Sequence, residues 1–287
     1  MNPYVIVTDS SADLPIEVLE QYGIDCVQLS VTVEGEEPRP NDEIDIKEFY
    51  TLLRGKKSAT TSATAMELIK ERFEKHLKEG RDVLYLGFSS GLSSTYQAGF
   101  IAARELREQY PERTVETVDT LAASLGQGLL VYLAAKKQAE GASLEEVRTF
   151  VEENKLHMCH WFTVEDLFFL KRGGRVSYAT AVMGSMLSIK PVVHMDNEGH
   201  LINVAKARGR RSSRDELCRR MQESAIDPAN QTVFISHGDC AEEAEYLAQR
   251  VRETMGVTDI MISYVGPVIG AHSGPGTMAL FFLGKER

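Results

Sequence analysis

The chain has 287 residues, 43% hydrophobic and 26% charged, with a formal net charge of −10; that is enough for two domains or one large α/β unit with a sizeable core. The negative balance argues against nucleic acid or anionic lipid as a partner of the whole surface and leaves only local basic patches. No apolar run approaches the roughly 20 residues that span a bilayer, so no transmembrane segment is expected, which leaves room for transient contact with a membrane surface.

The N-terminus, MNPYVIVTDSS, has neither a basic leader nor a cleavable apolar segment and reads directly as a strand over 4–8. DSSADLP then supplies capping residues and Pro15 near a helix start. That helix runs through Gln21 and stops at Gly23, and CVQLSVTV follows as a strand. After an acidic, Pro-containing loop come helical patterns over 45–54 and 64–79, strand 82–88, helix 95–109, strand 114–119 and a long helix from about 121 to 140. Helix 143–155 opens on the capping box SLEE. Strands alternating with helices of these lengths predict a parallel sheet with helices on both faces.

The texture changes after about residue 165. EDLFFLKRGGR and ATAVMGSMLSI read as short helices, and DNEG joins two extended runs as a hairpin. Strand 232–237, helix 241–255, strand 259–265 and strand 277–283 complete the chain. The fold class expected is therefore α/β: a three-layer parallel-sheet domain over 1–165 and a mixed α+β domain over 166–287. No linker separates them, so a ligand is expected between them.

Cys26, Cys159, Cys218 and Cys240 lie far apart without a C-x-x-C pair, as buried reduced thiols of a cytoplasmic protein would. His157 and His160 in HMCH could supply two metal ligands, but no further ligand motif accompanies them, and neither a metal nor a cofactor is expected.

Three hydroxyl-rich stretches fall where strands end, the edge at which open parallel sheets bind ligands: TDSSADL (8–14), ATTSATA (59–65) and GFSSGLSSTYQ (87–97). Thr61, Ser62 and Thr64 precede one amphipathic helix, and Ser93, Ser94 and Thr95 precede another. Each residue can serve as a cap, and free N–H groups at such starts favour an anion. GFSSG also matches the G-x-S-x-G elbow of ester hydrolases, with Ser89 as nucleophile and His272 as base. Against that reading, GLSST delays the helix, and no oxyanion segment is evident. The stretch GPVIGAHSGPG (266–276) makes a poor strand and a worse helix. It reads either as a hairpin turn or as a loop that holds His272 against a small anionic group.

Taken together, TDSSADL, TTSATA, GFSSGLSSTYQ, VDTLAASLGQG, DLFFLKRGGR, KPVVHMDNEGHL, ARGRRSS and GPVIGAHSGPG occur in the order seen in DegV family proteins. The chain resembles that family over essentially its whole length. The resemblance implies a two-domain α/β carrier that encloses one long-chain fatty acid, such as palmitate or oleate. By the same resemblance it would not be an enzyme by itself but would present the carboxylate to a fatty acid kinase subunit, whose acyl-phosphate product would feed phospholipid synthesis. Carried over by position, the head-group contacts are Thr61, Ser93 and His272, more weakly Ser62 and Arg172. Thr64 stands where the family often has proline, and Ser94 where it often has glycine. An ester hydrolase or a small-anion-binding protein is the alternative.

Energetics suit a carrier. Burying about 16 carbons at roughly 0.8 kcal/mol per CH₂ gains on the order of 12 kcal/mol before ordering costs. The tail would thus dominate affinity and the head group would fix orientation. Tail candidates are Phe168, Phe169, Met183, Met186, Leu187, Ile189 and Ile269. The basic run KARGRRSSR (206–214) is either a solvated helix start or, through Arg208, Arg210 and Arg211, a docking patch for the kinase. A nucleic-acid reading lacks a recognised fold or aromatic interleaving.

Overall fold

The computed structural model describes residues 3–176 and 189–287; Met183, Met186 and Leu187 lie outside them. The first sheet is parallel, in the order β2 (Asp25–Val27), β1 (Tyr4–Asp9), β6 (Asp82–Gly87), β7 (Val115–Asp119). Its central strands are buried on both faces, as their continuous apolar runs require. Val5, Val7, Val83 and Tyr85 meet the helices Met66–Lys78 and Thr95–Gln109 on one side. Ile6, Leu84, Leu86 and Val118 meet the helices Ser124–Ala139 and Leu144–Asn154 on the other.

The predicted strand CVQLSVTV is two strands. After β2 the chain leaves the first sheet, and β3 (Ser30–Val33) pairs antiparallel with β4 (Arg39–Pro40) and β5 (Ala59–Ser62) in a small separate sheet. The hydroxyls of ATTSATA therefore sit on or just after a strand. The helix starts only at Met66, with Ala65 as its N-cap and no side-chain cap.

The second sheet is mixed, in the order β10 (Leu201–Arg208), β9 (Ile189–Met195), β8 (Met158–Thr163), β13 (Met278–Leu283), β11 (Val233–His237), β12 (Ile260–Tyr264). All neighbours are antiparallel except β11 and β12. Strand β8, MCHWFT, is the third strand of the second sheet, so the chain enters that sheet at Met158, ahead of the change in texture after residue 165. The outer face carries Trp161, Ile235, Leu280 and Phe282 under the helices Arg210–Ser224 and Ala241–Met255.

The inner face carries Phe162, Val193, Phe234, Ala279 and Phe281, which pack against Leu125, Leu129 and Leu130 of the helix Ser124–Ala139. That helix thus lies between the two sheets. Its N-terminus is capped from the second sheet: the Ala123 N–H donates to His160 Nε2 (3.3 Å), and His160 Nδ1 bonds to Met158 O (2.9 Å). His157 Nδ1 bonds to Gly284 O (3.0 Å). Both histidines of HMCH are turned to backbone, and among the described residues no group of three or more His, Cys, Asp or Glu could hold a metal ion. No helix of the described residues is long and apolar enough to cross a membrane.

The run 266–276 is not a hairpin turn. Pro267–Ser273 forms a helix with proline in its first turn, where the missing N–H costs nothing, and Gly274 at φ 79° ends it. Close approach decides Gly126 as well: a Cβ there would lie 2.2 Å from His160 Nε2. Gly126→Ala is therefore expected to destabilise the protein by about 1–3 kcal/mol, the usual cost of overpacking. Urea unfolding checks this; an unchanged midpoint would show that the cap is not under this constraint.

Candidate functional site

A cavity of about 280 Å³ opens between the two sheets. It lies at the carboxyl edge of the first sheet, where β1 leads one way to β2 and the other way to β6, the switch point at which such sheets place ligands. The turn after β6 lines it with Phe88, Leu92, Ser93 and Ser94, and the turn after β7 with Ala123 and Ser124. The second sheet contributes His160, Phe162, Met195, Leu201, Ser236, Ala279 and Phe281. Thr61, Val268, Ile269 and His272 also reach the wall, the last three from the helix Pro267–Ser273.

Asp9 builds the edge from below. Its buried carboxylate accepts from Tyr85 Oη (2.9 Å), the Phe88 N–H (2.9 Å) and the Ser11 hydroxyl. Phe88 is thereby fixed at the exit of β6. Burial pushes the Asp9 carboxyl pKa up, and these donors oppose the shift.

The structure brings the three expected head-group residues to one cavity. Alternation along β5 turns Thr61 to the same side as buried Ala59 and leaves Ser62 exposed, off the cavity wall. Thr61 Oγ1 lies 2.7 Å from His272 Nε2. His272 Nδ1 is buried without a partner among the described residues. Gly173 makes room for it, since a Cβ there would lie 2.2 Å from Nδ1. An orphaned lone pair costs less than an orphaned N–H, which assigns the proton to Nε2. His272 then donates to Thr61, and the Thr61 hydroxyl proton remains for an acceptor in the cavity. Ser93 joins the cap and ligand readings in one residue. Its hydroxyl lies 2.9 Å from Thr95 Oγ1 and accepts from the Thr95 N–H (3.2 Å), and the residue also lines the cavity.

Arg172 is not on the wall; it stacks on Phe169 at 5.0 Å. The cation that lines the cavity is Arg175, three residues on, whose Nε donates to Leu92 O (3.3 Å) and whose Nη1 donates to Gly173 O. The RGGR turn thus places the last arginine, not the first, against the site. Of the tail candidates, Ile269 lines the cavity, whereas Phe168 is exposed and Phe169 and Ile189 are off the wall. Phe88, Leu92, Phe162, Leu170, Met195, Leu201 and Phe281 form the apolar wall instead. The alternation of Phe162 with Trp161 and of Phe281 with Leu280 could have marked inward positions, once those runs were known to be strands.

Ser89 does not form an elbow with His272. It is fully buried and absent from the cavity wall, and its Oγ donates to Gly199 O (2.8 Å), tying the first sheet to the turn between β9 and β10. Nor is Arg210 an exposed docking charge. It is ion-paired to Glu243 (2.7 Å) and Glu165 (3.7 Å), and it donates to Gly276 O. Arg211 lies over the Tyr246 ring at 5.7 Å, and Arg208 is exposed at the end of β10.

Comparison with known proteins agrees with this architecture. The DegV family model, described as that of an uncharacterised protein, matches residues 3–285. A DegV domain-containing protein of Clostridium perfringens is 46% identical over 289 residues, covering 100% of this chain and 99% of that one. Among solved structures, a DegV lipid binding protein from Thermotoga maritima superposes with a TM-score of 0.85 at 31% identity, covering 99% of each chain. A DegV family protein from Thermus thermophilus, described by its fatty acid binding, gives 0.86 at 31% identity, covering 98% of this chain and 99% of that one. DegV from Bacillus subtilis, described as a fatty acid binding protein, gives 0.85 at 28% identity, covering 99% and 100%.

Burial, and then the Arg175 and Arg172 cations, lower the His272 pKa from 6.5 to about 4. A group depressed in this way contributes stability that is complete above pH 6.5 and is lost as the pH falls through 6.5 towards about 4, because only the unfolded chain takes up the proton there. His272→Gln is expected to flatten that acid limb in urea unfolding measured across the window. A carboxylate against Thr61 would raise the His272 pKa, which an NMR titration with and without added oleate would read; a value unmoved by ligand would show that no anion sits there.

Proposed function

The chain belongs to the DegV family, and on that premise we propose that it binds one long-chain fatty acid, such as palmitate or oleate, in the cavity between its sheets. It presents the carboxylate at Thr61, Ser93 and His272 to a partner kinase. The observation that carries the reading is the convergence of these three residues, from three separate elements, on one otherwise largely apolar cavity. Relatives described as fatty acid binding proteins support it.

On this reading the head cluster orients more than it binds. The Thr61 hydroxyl donates to the carboxylate, the neutral His272 imidazole fixes that hydroxyl, and Arg175 supplies positive charge on the cavity wall. Ser93 already accepts from its own helix start, so its hydroxyl proton is directed by Thr95 or by the ligand. A carboxylate held in one orientation can attack a phosphoryl donor that a kinase brings up, and positioning of this kind lowers a barrier without any group of the carrier entering the chemistry. Transfer of the product into phospholipid synthesis in the cytoplasm belongs to the same proposal. Arg208 and Arg211 remain as charges for docking; Arg210 leaves that set because its charge is already paired.

Organic extraction and mass spectrometry of the purified protein are expected to yield about one long-chain fatty acid per chain. An empty extract, together with no binding of added oleate or palmitate, would overturn the carrier reading. With the cognate kinase, His272→Ala is expected to cost less than about tenfold in fatty-acid affinity, since buried chain dominates, but about 100-fold in acyl-phosphate formation. Arg208→Glu should show the reverse pattern: unchanged lipid affinity and weakened, salt-sensitive kinase binding. Arg210→Glu should instead lower thermal stability. Normal kinase binding by the Arg208 variant would move the docking surface elsewhere.

A further inference from the structure

The cavity has a second polar pole that the carboxylate does not use. On the inner face of the second sheet, Ser236 stands among Phe234, Ala279 and Phe162, and it is fully buried. Among the described residues its Oγ has one partner, Ser124 Oγ, at 3.3 Å, beyond the 2.5–3.0 Å of an ordinary O–H···O bond. Ser124 is also buried, at φ 53°, a conformation that a residue without a special reason avoids. Its hydroxyl donates to Asp13 Oδ2 (2.6 Å), and Asp13 is itself at φ 53°. Both serines line the cavity.

The pole is removed from the head group. Asp13 lies against Gly266, the N-cap of the helix that carries His272, where a Cβ would come within 2.5 Å of Asp13 Oδ1. His272 is six residues on, about 9 Å along the helix axis at ~1.5 Å per residue. A chain anchored at Thr61 and His272 would therefore meet the serine pair part-way along its length. Hydrocarbon there would leave Ser236 with a long, weak bond, and buried hydroxyls without good partners are costly.

Building on the carrier reading, we infer that the cavity accepts an acyl chain bearing a hydroxyl part-way along, held between Ser236 and Ser124. The roles follow from the donors available. Ser124 has committed its proton to Asp13, so its oxygen is an acceptor for the ligand O–H. Ser236 has a proton that is poorly used and donates it to the ligand oxygen. A hydroxyl satisfies both serines; a ketone, which only accepts, satisfies Ser236 alone.

The test uses the delipidated full-length protein and compares affinities for a mid-chain monohydroxystearate, the corresponding ketostearate and stearate. Wild type is expected to favour the hydroxy acid over stearate by about tenfold, with the ketone between them, as one to two added hydrogen bonds would give. Ser236→Ala should bring the hydroxy-to-stearate ratio towards one, and Ser236→Thr, which keeps a hydroxyl, should retain a preference; circular dichroism melts confirm that each variant is folded. Stearate binding with the same ratio in wild type and Ser236→Ala would overturn the subsite while leaving the carrier intact. If wild type binds none of the three acids, the carrier reading falls, and this inference with it.

Discussion

The cavity depends on a helix that has no solvent face over most of its length. From Ser124 to Val131 every residue of the helix Ser124–Ala139 is buried, because one side packs on Leu84, Leu86 and Val118 of the first sheet and the other on Phe162, Phe234 and Phe281 of the second. A helix buried on every side must be largely apolar, and its polar Gln127 is held by Thr8 and Ser11 of the first sheet's edge. Its N-terminus, with unsatisfied N–H groups, is then buried as well, and it must be capped by the elements that bury it. His160 caps Ala123 from the second sheet, and Asp13 holds Ser124 from the first. The two sheets are thus fastened to the same helix end, and the cavity is the space left beside that junction.

Further ties hold the sheets in register around it. Ser89 donates to Gly199 O, and Arg287 donates to Leu121 O (2.7 Å) and Asp196 O (3.1 Å), each joining a turn of the first sheet or its edge to the hairpin of the second. Tyr50, fully buried, donates to Val265 O (2.7 Å) and so fixes the entry to the helix that carries His272. Burial of the phenol is repaid by that bond, as for most buried hydroxyls. The position of His272 is therefore set by Tyr50 below and Gly173 beside it, neither of which would touch a ligand.

Much of this was legible in the sequence wherever local rules decide. The helix start at Thr95, the capping box at Ser143 and the stop at Gly23 follow from caps and glycine, and the structure has all three. The DNEG hairpin joins β9 and β10 as its turn residues suggest. What escaped depends on partners distant in sequence. HMCHWFT reads as a possible ligand motif or as nothing, since a strand buried on both faces has no alternation to betray it. The break inside CVQLSVTV is a change of sheet with no local breaker. Arg172 and Arg175 are equivalent in a linear reading, and only the fold of the RGGR turn separates them. The helix over 267–273 was missed because four glycines outweighed a proline that is well placed in a first turn.

The geometry also separates holding a carboxylate from cleaving an ester. A hydrolytic serine needs an exposed hydroxyl within reach of a base, and Ser89 has neither, with its proton given to Gly199 O in the core. Ser93 is on the wall, but its oxygen already serves the backbone of Thr95. His272 meets Thr61 through one nitrogen and Gly173 through the other, and with a pKa lowered to about 4 it is a poor acceptor of protons at neutral pH. It can orient a neighbouring hydroxyl without drawing the proton from it. An enclosed imidazole that is neutral at neutral pH and whose one paired nitrogen faces a threonine suits the orienting of a hydroxyl, and it offers no base to a nucleophilic serine.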